Sequence, residues 1–274
     1  MTAIEVEHLV KRYRGATRNA VDDISFEVGT GQFCCLLGPN GAGKTTTVSI
    51  LTTTLELTSG IVRIAGKDVG TDQPGVRREI GVVFQQPALD QNLTAEENLR
   101  LHAILYGLWP WRPLHRWMPA GYRAQVQELA GVLGLADLLG QPVRSLSGGQ
   151  RRRLEIVRAL MHRPGVLFLD EPTAGLDPQS RRSLWAHLAQ TRARLGTTIL
   201  LTTHYLEEAE TADATWVLAR GAIVDRGTPA ELKQRYGARS LEDAYLTLLG
   251  DDQAGFGGDQ ASLGEHQASA GEPA

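Results

Sequence analysis

A glycine-rich segment near residue 40 has the composition of a phosphate-binding loop. It consists of Gly38, Pro39, Asn40, Gly41, Ala42, Gly43, Lys44, Thr45 and Thr46. Glycines let backbone N–H groups approach phosphate oxygens closely, and the N-terminus of a following helix adds a favourable dipole. At this spacing the lysine reaches the β- and γ-phosphates, and the Thr45 hydroxyl ligates Mg²⁺. The segment therefore predicts a site for a nucleoside triphosphate with Mg²⁺.

An acidic pair, Asp170 and Glu171, directly follows the apolar run Val166–Leu169. A run of this length predicts a buried strand, and ligands collect at the carboxyl ends of strands in open α/β sheets. We expect Asp170 to hold Mg²⁺, directly or through water, and Glu171 to orient or deprotonate an attacking water. The alternative for an isolated Asp-Glu pair is a solvated turn, but the phosphate loop elsewhere in the chain favours the catalytic interpretation.

Two more polar side chains follow predicted strands. Gln85 comes after the strand predicted over Gly81–Phe84, where its amide would contact Mg²⁺ or the attacking water. The adjacent Gln86 is the alternative, and Gln85 is preferred because it follows the strand directly. His204 follows the strand predicted over Thr198–Thr203, so its imidazole is expected to donate a hydrogen bond to the γ-phosphate.

Tyr13 is a candidate to stack on the adenine ring, since it precedes a glycine after the first predicted strand. The alternative is that this tyrosine ends an edge strand and simply packs there.

The elements that position these residues follow from hydrophobic periodicity. Strands are predicted at Ala3–Val10, Ile24–Val28, Phe33–Leu37, Ile61–Ile64, Gly81–Phe84, Val166–Leu169 and Thr198–Thr203, and as a hairpin at Thr215–Ala219 and Ala222–Asp225. Helices are predicted from Lys44, and at Thr94–Tyr106, Tyr122–Leu139, Pro178–Leu195, Pro229–Tyr236 and Leu241–Leu249. Strands that alternate with helices indicate an α/β fold with parallel βαβ units.

Composition excludes several classes of protein. The 274 residues have a net charge of −3, which gives no basic excess for a nucleic-acid backbone. Apolar runs fall short of the ~18 residues that span a bilayer. The two cysteines, Cys34 and Cys35, are adjacent in an apolar run, so we expect small core residues rather than a redox or metal site. Residues 251–274 lack Lys and Arg and are predicted to be a disordered acidic tail.

A second motif, Leu146-Ser147-Gly148-Gly149-Gln150, gives the chain its resemblance to a known family. The order of motifs along the chain resembles that of the ATP-binding cassette (ABC) family over nearly all of residues 1–250. The other motifs in this order are the phosphate loop, Gln85, the acidic pair, the loop Ala174-Gly175-Leu176-Asp177 and His204. The resemblance implies a phosphate-loop core with a mostly parallel sheet, an N-terminal antiparallel β subdomain and a helical subdomain at about residues 90–165. It also implies an ATPase that uses ATP and Mg²⁺.

The resemblance further implies that two cassettes pair head to tail. Ser147, Gly148, Gly149 and Gln150 of one copy would then contact the nucleotide held by Lys44 of the other, with Asp177 at the interface. Without the other elements, the Gly-Gly pair would also fit a plain turn that Ser147 caps before the basic helix Arg151–Leu160.

Within the family, the chain is similar to cassettes of daunorubicin-resistance and lipo-oligosaccharide exporters. Such a cassette would pair with a separate integral-membrane permease and lie peripherally on the cytoplasmic face of the inner membrane. The alternatives are a non-transport cassette of the iron–sulfur assembly type and an importer cassette. Cargo and permease are not predictable from the cassette sequence.

The segment Trp109–Pro119 looks longer than the corresponding connection in the family. It contains three Trp and three Pro with interspersed Arg112, His115 and Arg116. Tryptophan and arginine are enriched at binding hot spots and tryptophan at membrane interfaces, which predicts contact with a permease or a membrane. The alternative is that the tryptophans fold back onto the subdomain's own core.

Overall fold

The computed structural model describes residues 1–86 and 88–250. The tail predicted at residues 251–274 lies outside the described residues. The strands are β1 Thr2–Lys11, β2 Val21–Gly29, β3 Phe33–Leu37, β4 Ser59–Ile64, β5 Lys67–Asp68, β6 Ile80–Val83, β7 Val166–Asp170, β8 Thr198–Thr203, β9 Ala214–Ala219 and β10 Ala222–Gly227.

The helices alternate with these strands. They are α1 Lys44–Leu51, α2 Gln73–Glu79, α3 Ala95–Leu105, α4 Ala120–Val132, α5 Gly148–Leu160, α6 Pro178–Leu195, α7 Leu206–Ala209 and α8 Pro229–Arg235, and residues 241–250 are also helical. Short 3₁₀ turns occur at His115–Trp117, Ala136–Leu138 and Val143–Ser145. Within the described chain, no helix combines the length and apolarity needed to cross a membrane.

The N-terminal sheet is antiparallel, with the strand order β2-β1-β4-β5. Ile4 and Val6 of β1 are buried two residues apart, as a two-residue side-chain period requires, and an irregularity at His8 lets Leu9 be buried as well. Because β1 lies inside this sheet, Tyr13 does not follow an edge strand. The alternative prediction that Tyr13 ends an edge strand was therefore wrong.

The second sheet has the order β10-β9-β3-β8-β7-β6 and is parallel except for the β9–β10 hairpin. Its central strands β3, β8 and β7 are buried on both faces, as expected of a parallel sheet covered by helices. The carboxyl ends of β3, β8, β7 and β6 lie side by side at one edge. This order brings together the four chain segments that sequence analysis identified as chemically important.

Both cysteines lie in the centre of β3 and are fully buried. Burial raises the pKa of the Cys34 thiol to about 12, with a smaller contribution from Asp213, and it also raises the pKa of Cys35. Neither thiol is a thiolate near neutral pH, so the prediction that both are core residues is confirmed.

Helices α3, α4 and α5 occupy the region predicted to be helical. The Thr94 side chain and Glu97 form a capping box that starts α3. The prediction of a helix over Tyr122–Leu139 was wrong at its end: α4 stops at Val132, because Gly134 takes a φ of 63° that continues no helix. Sequence analysis also missed β5 and α2, and β6 ends at Val83, one residue earlier than predicted.

The tryptophan-rich segment divides into a packed part and an exposed part. Trp109 packs against the core, with its ring edge-on to Tyr122 and its Nε1 donating to Gln125 Oε1 at 3.3 Å. Trp111 and Trp117 remain 66% and 53% exposed. Core packing therefore accounts for Trp109 alone.

Candidate functional site

The phosphate loop joins the end of β3 to the start of α1. Gly43 is the N-cap of α1 with a φ of 102°, and its carbonyl accepts hydrogen bonds from the backbone N–H and the hydroxyl of Thr47. A Cβ on Gly43 would lie 2.5 Å from the Ala20 carbonyl, and one on Gly38 would lie 2.3 Å from the Leu218 carbonyl. These two glycines are thus required by backbone neighbours within the protein. Gly41, with a φ of 81°, faces open space, as expected of a position approached by a ligand.

Lys44 is the first residue of α1, and its side chain is buried. Its Nζ donates to the carbonyls of Gly38 at 2.8 Å and Pro39 at 3.1 Å, and it lies 3.8 Å from Glu171 Oε1. Burial lowers the pKa of this ammonium, while Glu171 and Asp170 oppose the shift. The structure therefore holds a positive charge at the base of the loop, against the acidic pair.

Glu171 is the centre of the polar cluster. Gln85 Nε2 donates to its Oε2 at 3.2 Å, and His204 Nδ1 lies 3.1 Å from its Oε1. Its backbone has a φ of 45°, a left-handed conformation that is strained for a non-glycine residue and is typical of functional sites. The Glu171 N–H donates to the Thr202 carbonyl at 3.0 Å, which fixes this turn to β8.

Asp170 is the last residue of β7 and is buried. The Thr45 hydroxyl lies 3.3 Å from its Oδ1, and the Thr202 hydroxyl donates to the same oxygen. Burial raises the pKa of this carboxyl group, and the hydrogen bonds from Thr202 and Thr45 oppose the rise. Hydroxyl, carboxylate and amide oxygens are the donors that Mg²⁺ prefers, so Thr45, Asp170 and Gln85 fit the ion expected from the sequence.

A cleft of about 490 Å³ lies over these groups. Its walls include most of the residues predicted to bind phosphate or to catalyse hydrolysis, namely Asn40, Gly41, Gly43, Lys44, Thr45, Thr46, Gln85, Glu171 and His204. Gly38, Pro39 and Ala42 are not among the residues that line the cleft; Gly38 and Ala42 are buried, Pro39 is exposed, and Gly38 and Pro39 contribute the carbonyls that bind Lys44. Gln85, and not Gln86, is the glutamine at the site.

Sequence analysis did not identify Ala20, which also lines the cleft, or Thr202, which binds Asp170; it named Ala174 only as part of the loop Ala174-Gly175-Leu176-Asp177, although this residue lines the cleft too. Small residues outside a motif give no sequence signal for such a role. Tyr13 lies beside the cleft, 47% exposed, with its hydroxyl 3.4 Å from Thr46 Oγ1. Its ring is therefore accessible to a ligand, and stacking on adenine stays a prediction.

The second motif lies at the N-terminus of α5, and none of its residues lines the cleft that contains Lys44. Ser147 and Gln150 form a capping box: the Gln150 N–H donates to Ser147 Oγ at 3.2 Å, and Gln150 Oε1 accepts the Ser147 N–H at 2.8 Å. Gly148 and Gly149 form the first turn of the helix. The motif thus forms the helix cap expected if Ser147 only capped a turn. It also leaves an exposed helix N-terminus that could accept an anion.

Asp177 is adjacent to this motif. It is the N-cap of α6 and accepts the N–H groups of Gln179 and Ser180 at 3.0 Å each. Its pKa is lowered, first by the hydrogen bond from the Ser180 side chain and then by these N–H groups. A Cβ on Gly149 would lie 2.7 Å from Ser180 Oγ, so the two helix N-termini pack against each other. The structure therefore groups the predicted dimer-facing residues on one surface, separate from the cleft.

A buried ion pair that sequence analysis missed connects this surface to the cleft. Arg152 Nη1 lies 3.0 Å from Glu155 Oε2 on the buried face of α5. Glu155 Oε1 accepts the Ala88 N–H at 2.8 Å, just beyond Gln85. The sequence pattern that could have predicted this ion pair is an Arg and a Glu three residues apart on an otherwise apolar helix face.

Comparisons with known proteins agree with this geometry. The model of a protein family described as "ABC transporter" matches residues 21–174. The chain is 41% identical over 240 residues to the "Daunorubicin/doxorubicin resistance ATP-binding protein DrrA" of Streptomyces peucetius, which covers 87% of this chain and 69% of that protein. It is 42% identical over 230 residues to the "Nod factor export ATP-binding protein I" of Ralstonia nicotianae, which covers 84% of this chain and 68% of that protein.

Solved structures give the same fold. A structure described as the ATP-binding subunit of an ABC transporter superposes with a TM-score of 0.77 at 31% identity, over 90% of this chain and 100% of that one. A dimeric cassette in a post-hydrolysis state, bound to ADP and Pi, superposes with a TM-score of 0.71 at 25% identity, over 82% of this chain and 98% of that one.

Proposed function

The chain belongs to the ABC transporter family as an ATP-binding, ATP-hydrolysing subunit, and from this premise we propose how its residues divide the work. Lys44 and the N–H groups of the loop from Gly38 to Thr46 bind the phosphates of ATP. Thr45, Asp170 and Gln85 hold Mg²⁺, which when bound neutralises phosphate charge. Glu171 orients and deprotonates the attacking water, and His204 donates to the γ-phosphate. Tyr13 stacks on the adenine ring.

The proton acceptor is Glu171 because of what surrounds it. The carboxylate lies at the cleft surface, and Gln85, His204 and Lys44 approach it from three other segments of the chain. Phosphoryl transfer needs little covalent help, so holding the water in line and placing charge around the phosphate provide most of the rate enhancement.

We further propose that two copies of the chain pair head to tail. The observation that supports this most strongly is the separation of Ser147 to Gln150 from the cleft that contains Lys44. A nucleotide in the cleft is covered on one side only. The N-terminus of α5 in a second copy, with the neighbouring Asp177, has the N–H donors and the dipole to close over its γ-phosphate.

Mixing two inactive variants tests this arrangement. A Lys44→Ala chain combined with a Ser147→Arg chain forms heterodimers with one doubly damaged site and one intact site. ATPase activity of the mixture should therefore exceed that of either parent. A mixture no more active than its parents contradicts the head-to-tail pairing, provided that co-purification of two differently tagged chains shows that heterodimers form.

A second mixture serves as the matched control. In the proposed dimer, each nucleotide site takes both Lys44 and Glu171 from the same chain. A heterodimer of a Lys44→Ala chain and a Glu171→Gln chain therefore has one damaged residue in each of its two sites. This mixture should stay inactive. Recovery of activity here would show subunit stabilisation and not completion of a site.

Export through a separate membrane permease is the transport function that the comparisons favour. Two of the similar proteins are named for drug resistance and for Nod factor export. We propose that this chain likewise drives export of drugs, lipids or glycans, while bound peripherally to a permease at the cytoplasmic face of the membrane. Co-purification with a co-expressed membrane permease would support this function, and stimulation by a soluble iron–sulfur assembly partner would favour a non-transport cassette.

A further inference from the structure

The segment between α3 and α4 is built onto the helical region by a buried polar network. Glu96 accepts the Tyr122 hydroxyl at 2.9 Å, and His115 Nδ1 lies 2.9 Å from the same carboxylate oxygen. Arg100 Nη1 donates to the Pro113 carbonyl at 2.9 Å. Since these hydrogen bonds fix the backbone and Met118 is buried beneath it, the segment presents a defined outer surface.

That outer surface combines aromatic and basic side chains, and we call Trp111, Arg112, Arg116, Trp117 and Arg123 the aromatic-basic patch. Arg116 lies over the Trp117 ring at 5.5 Å, Arg112 Nη1 donates to the Trp111 carbonyl, and Arg123 Nη1 donates to the Arg116 carbonyl. These contacts link Trp111 with Arg112, and Arg116 with both Trp117 and Arg123. All five side chains are exposed.

The charge of this surface has one sign. Between Glu97 and Glu128 the sequence contains four arginines and no acidic residue, although the whole chain has a net charge of −3. Across the part of the chain that the structure describes, none of the patch arginines forms a salt bridge. The acidic residues that flank this stretch in the sequence have other partners: Glu96 and Glu97 lie beside Arg100, Glu96 also contacts His115, and Glu128 lies beside Arg163.

We propose that the aromatic-basic patch binds the anionic headgroup surface of a phospholipid bilayer. Tryptophan rings favour the boundary between headgroups and acyl chains, where one edge is apolar and the other is wet. Arginines adjacent to the rings attract anionic headgroups and meet phosphates with paired N–H donors. A protein partner would instead be expected to provide carboxylates for three arginines that have no acidic partner among the described residues, whereas an anionic bilayer supplies negative charge across the whole patch.

The inference rests on the proposed function in one respect, which is that the cassette works beside a membrane. It adds a direct contact with lipid that needs no permease. Vesicle binding by the full chain alone can therefore fail while the permease partnership remains, and the permease partnership can fail while vesicle binding remains.

Co-sedimentation of the full chain with vesicles is the direct test. The native chain should bind vesicles of phosphatidylcholine with phosphatidylglycerol, bind pure phosphatidylcholine weakly, and lose binding as salt is raised. The variant Arg112→Glu/Arg116→Glu should bind the anionic vesicles at least about tenfold more weakly, because each basic side chain near such a surface contributes about fivefold. The variant Trp111→Ser/Trp117→Ser should also bind more weakly, and in the native chain tryptophan emission should shift to the blue on binding.

The control variant is Arg194→Glu/Arg239→Glu, which makes the same change in net charge at two exposed arginines away from the patch. It should bind anionic vesicles like the native chain, apart from the small effect of net charge. Melting temperature and ATP binding should be the same in all variants, since no patch residue touches the cleft.

Three results would overturn the inference. These are failure of the native chain to bind anionic vesicles, an equal loss in the patch and control variants, and full binding by both patch variants. If the native chain does not bind vesicles but the patch variants lose a co-expressed permease, the patch is a protein interface and the lipid proposal is wrong.

Discussion

Arg152 donates from Nη2 to the backbone carbonyl of Asp170 at 3.0 Å. The same guanidinium donates to the carbonyls of Phe84 at 2.6 Å and Pro172 at 2.8 Å. One side chain on α5 thus fixes the backbone on either side of Glu171 and immediately before Gln85. Because Ser147 caps the N-terminus of α5, movement of the second motif would be transmitted to the groups proposed to hold Mg²⁺ and water.

Replacing Arg152 by Ala should destabilise the protein strongly. Glu155 would remain buried without its partner, and three backbone carbonyls would lose their donor. Breaking a buried pair in this way costs about 3–5 kcal/mol. Urea unfolding should show this loss for Arg152→Ala, whereas the neighbouring Arg151→Ala should change the free energy of unfolding by less than about 0.5 kcal/mol. Equal stability of the two variants would contradict the role of Arg152.

The loop glycines give a second prediction. In Gly38→Ala the new Cβ would lie 2.3 Å from the Leu218 carbonyl, so the loop or β9 must shift. We expect lower thermal stability and weaker ATP binding, measured by calorimetry. Gly131→Ala is the matched control, because Gly131 is inside α4 with no atom within 4 Å of the new Cβ. That change should raise the free energy of unfolding by about 0.5–1 kcal/mol. ATP binding by Gly38→Ala at the native affinity would contradict the packing argument.

Much of the fold was predictable from the sequence because its strands are short apolar runs that end at Gly, Gln, Asp or His. The ends of β3, β7 and β8 were located in this way, and with them Lys44, Glu171 and His204. The Ala20 carbonyl beside Gly43 and the Thr202 hydroxyl on Asp170 were not predictable, because they depend on contacts between distant segments. The end of α4 at Val132, just before Gly134, was missed because apolar spacing continues beyond it.

Acid should destabilise the protein partly through His102. Burial lowers the pKa of this imidazole to about 4, and the charges of Arg158 and His162 act in the same direction. In the unfolded chain the imidazole has its ordinary pKa of 6.5. Between about pH 4 and pH 6.5 the unfolded chain therefore binds more protons than the folded protein. Stability is therefore lost as the pH falls from about 6.5 towards 4.

His102→Gln removes this titration. The free energy of unfolding falls in both proteins when the pH is lowered from 7 to 5. This fall should be about 1–2 kcal/mol smaller in the variant than in the native chain. Urea unfolding at the two pH values measures the difference. The same loss in both proteins would mean that His102 is already protonated in the folded state or is not buried.

Glu171→Gln should keep ATP affinity but lower the hydrolysis rate by at least about a hundredfold, as expected when a general base is removed. The amide keeps the shape of the carboxylate, so ATP should hold the variant as a dimer. Glu207→Gln makes the same chemical change at an exposed residue of α7 and should hydrolyse ATP at the native rate. Near-native turnover by Glu171→Gln would remove this residue from the mechanism.

The central claim is that the second motif of one copy closes the cleft of another, and crosslinking between chains tests it most directly. Cys34 and Cys35 are buried, so introduced cysteines react without background. One chain has the substitutions Glu171→Gln and Asn40→Cys, and a differently tagged chain has Glu171→Gln and Ser147→Cys. When the two are mixed and ATP is added, they should give a crosslinked heterodimer. Ser59→Cys in place of Ser147→Cys should give none. Absence of the ATP-dependent product, or a crosslink within a single chain containing both Asn40→Cys and Ser147→Cys, would contradict the account.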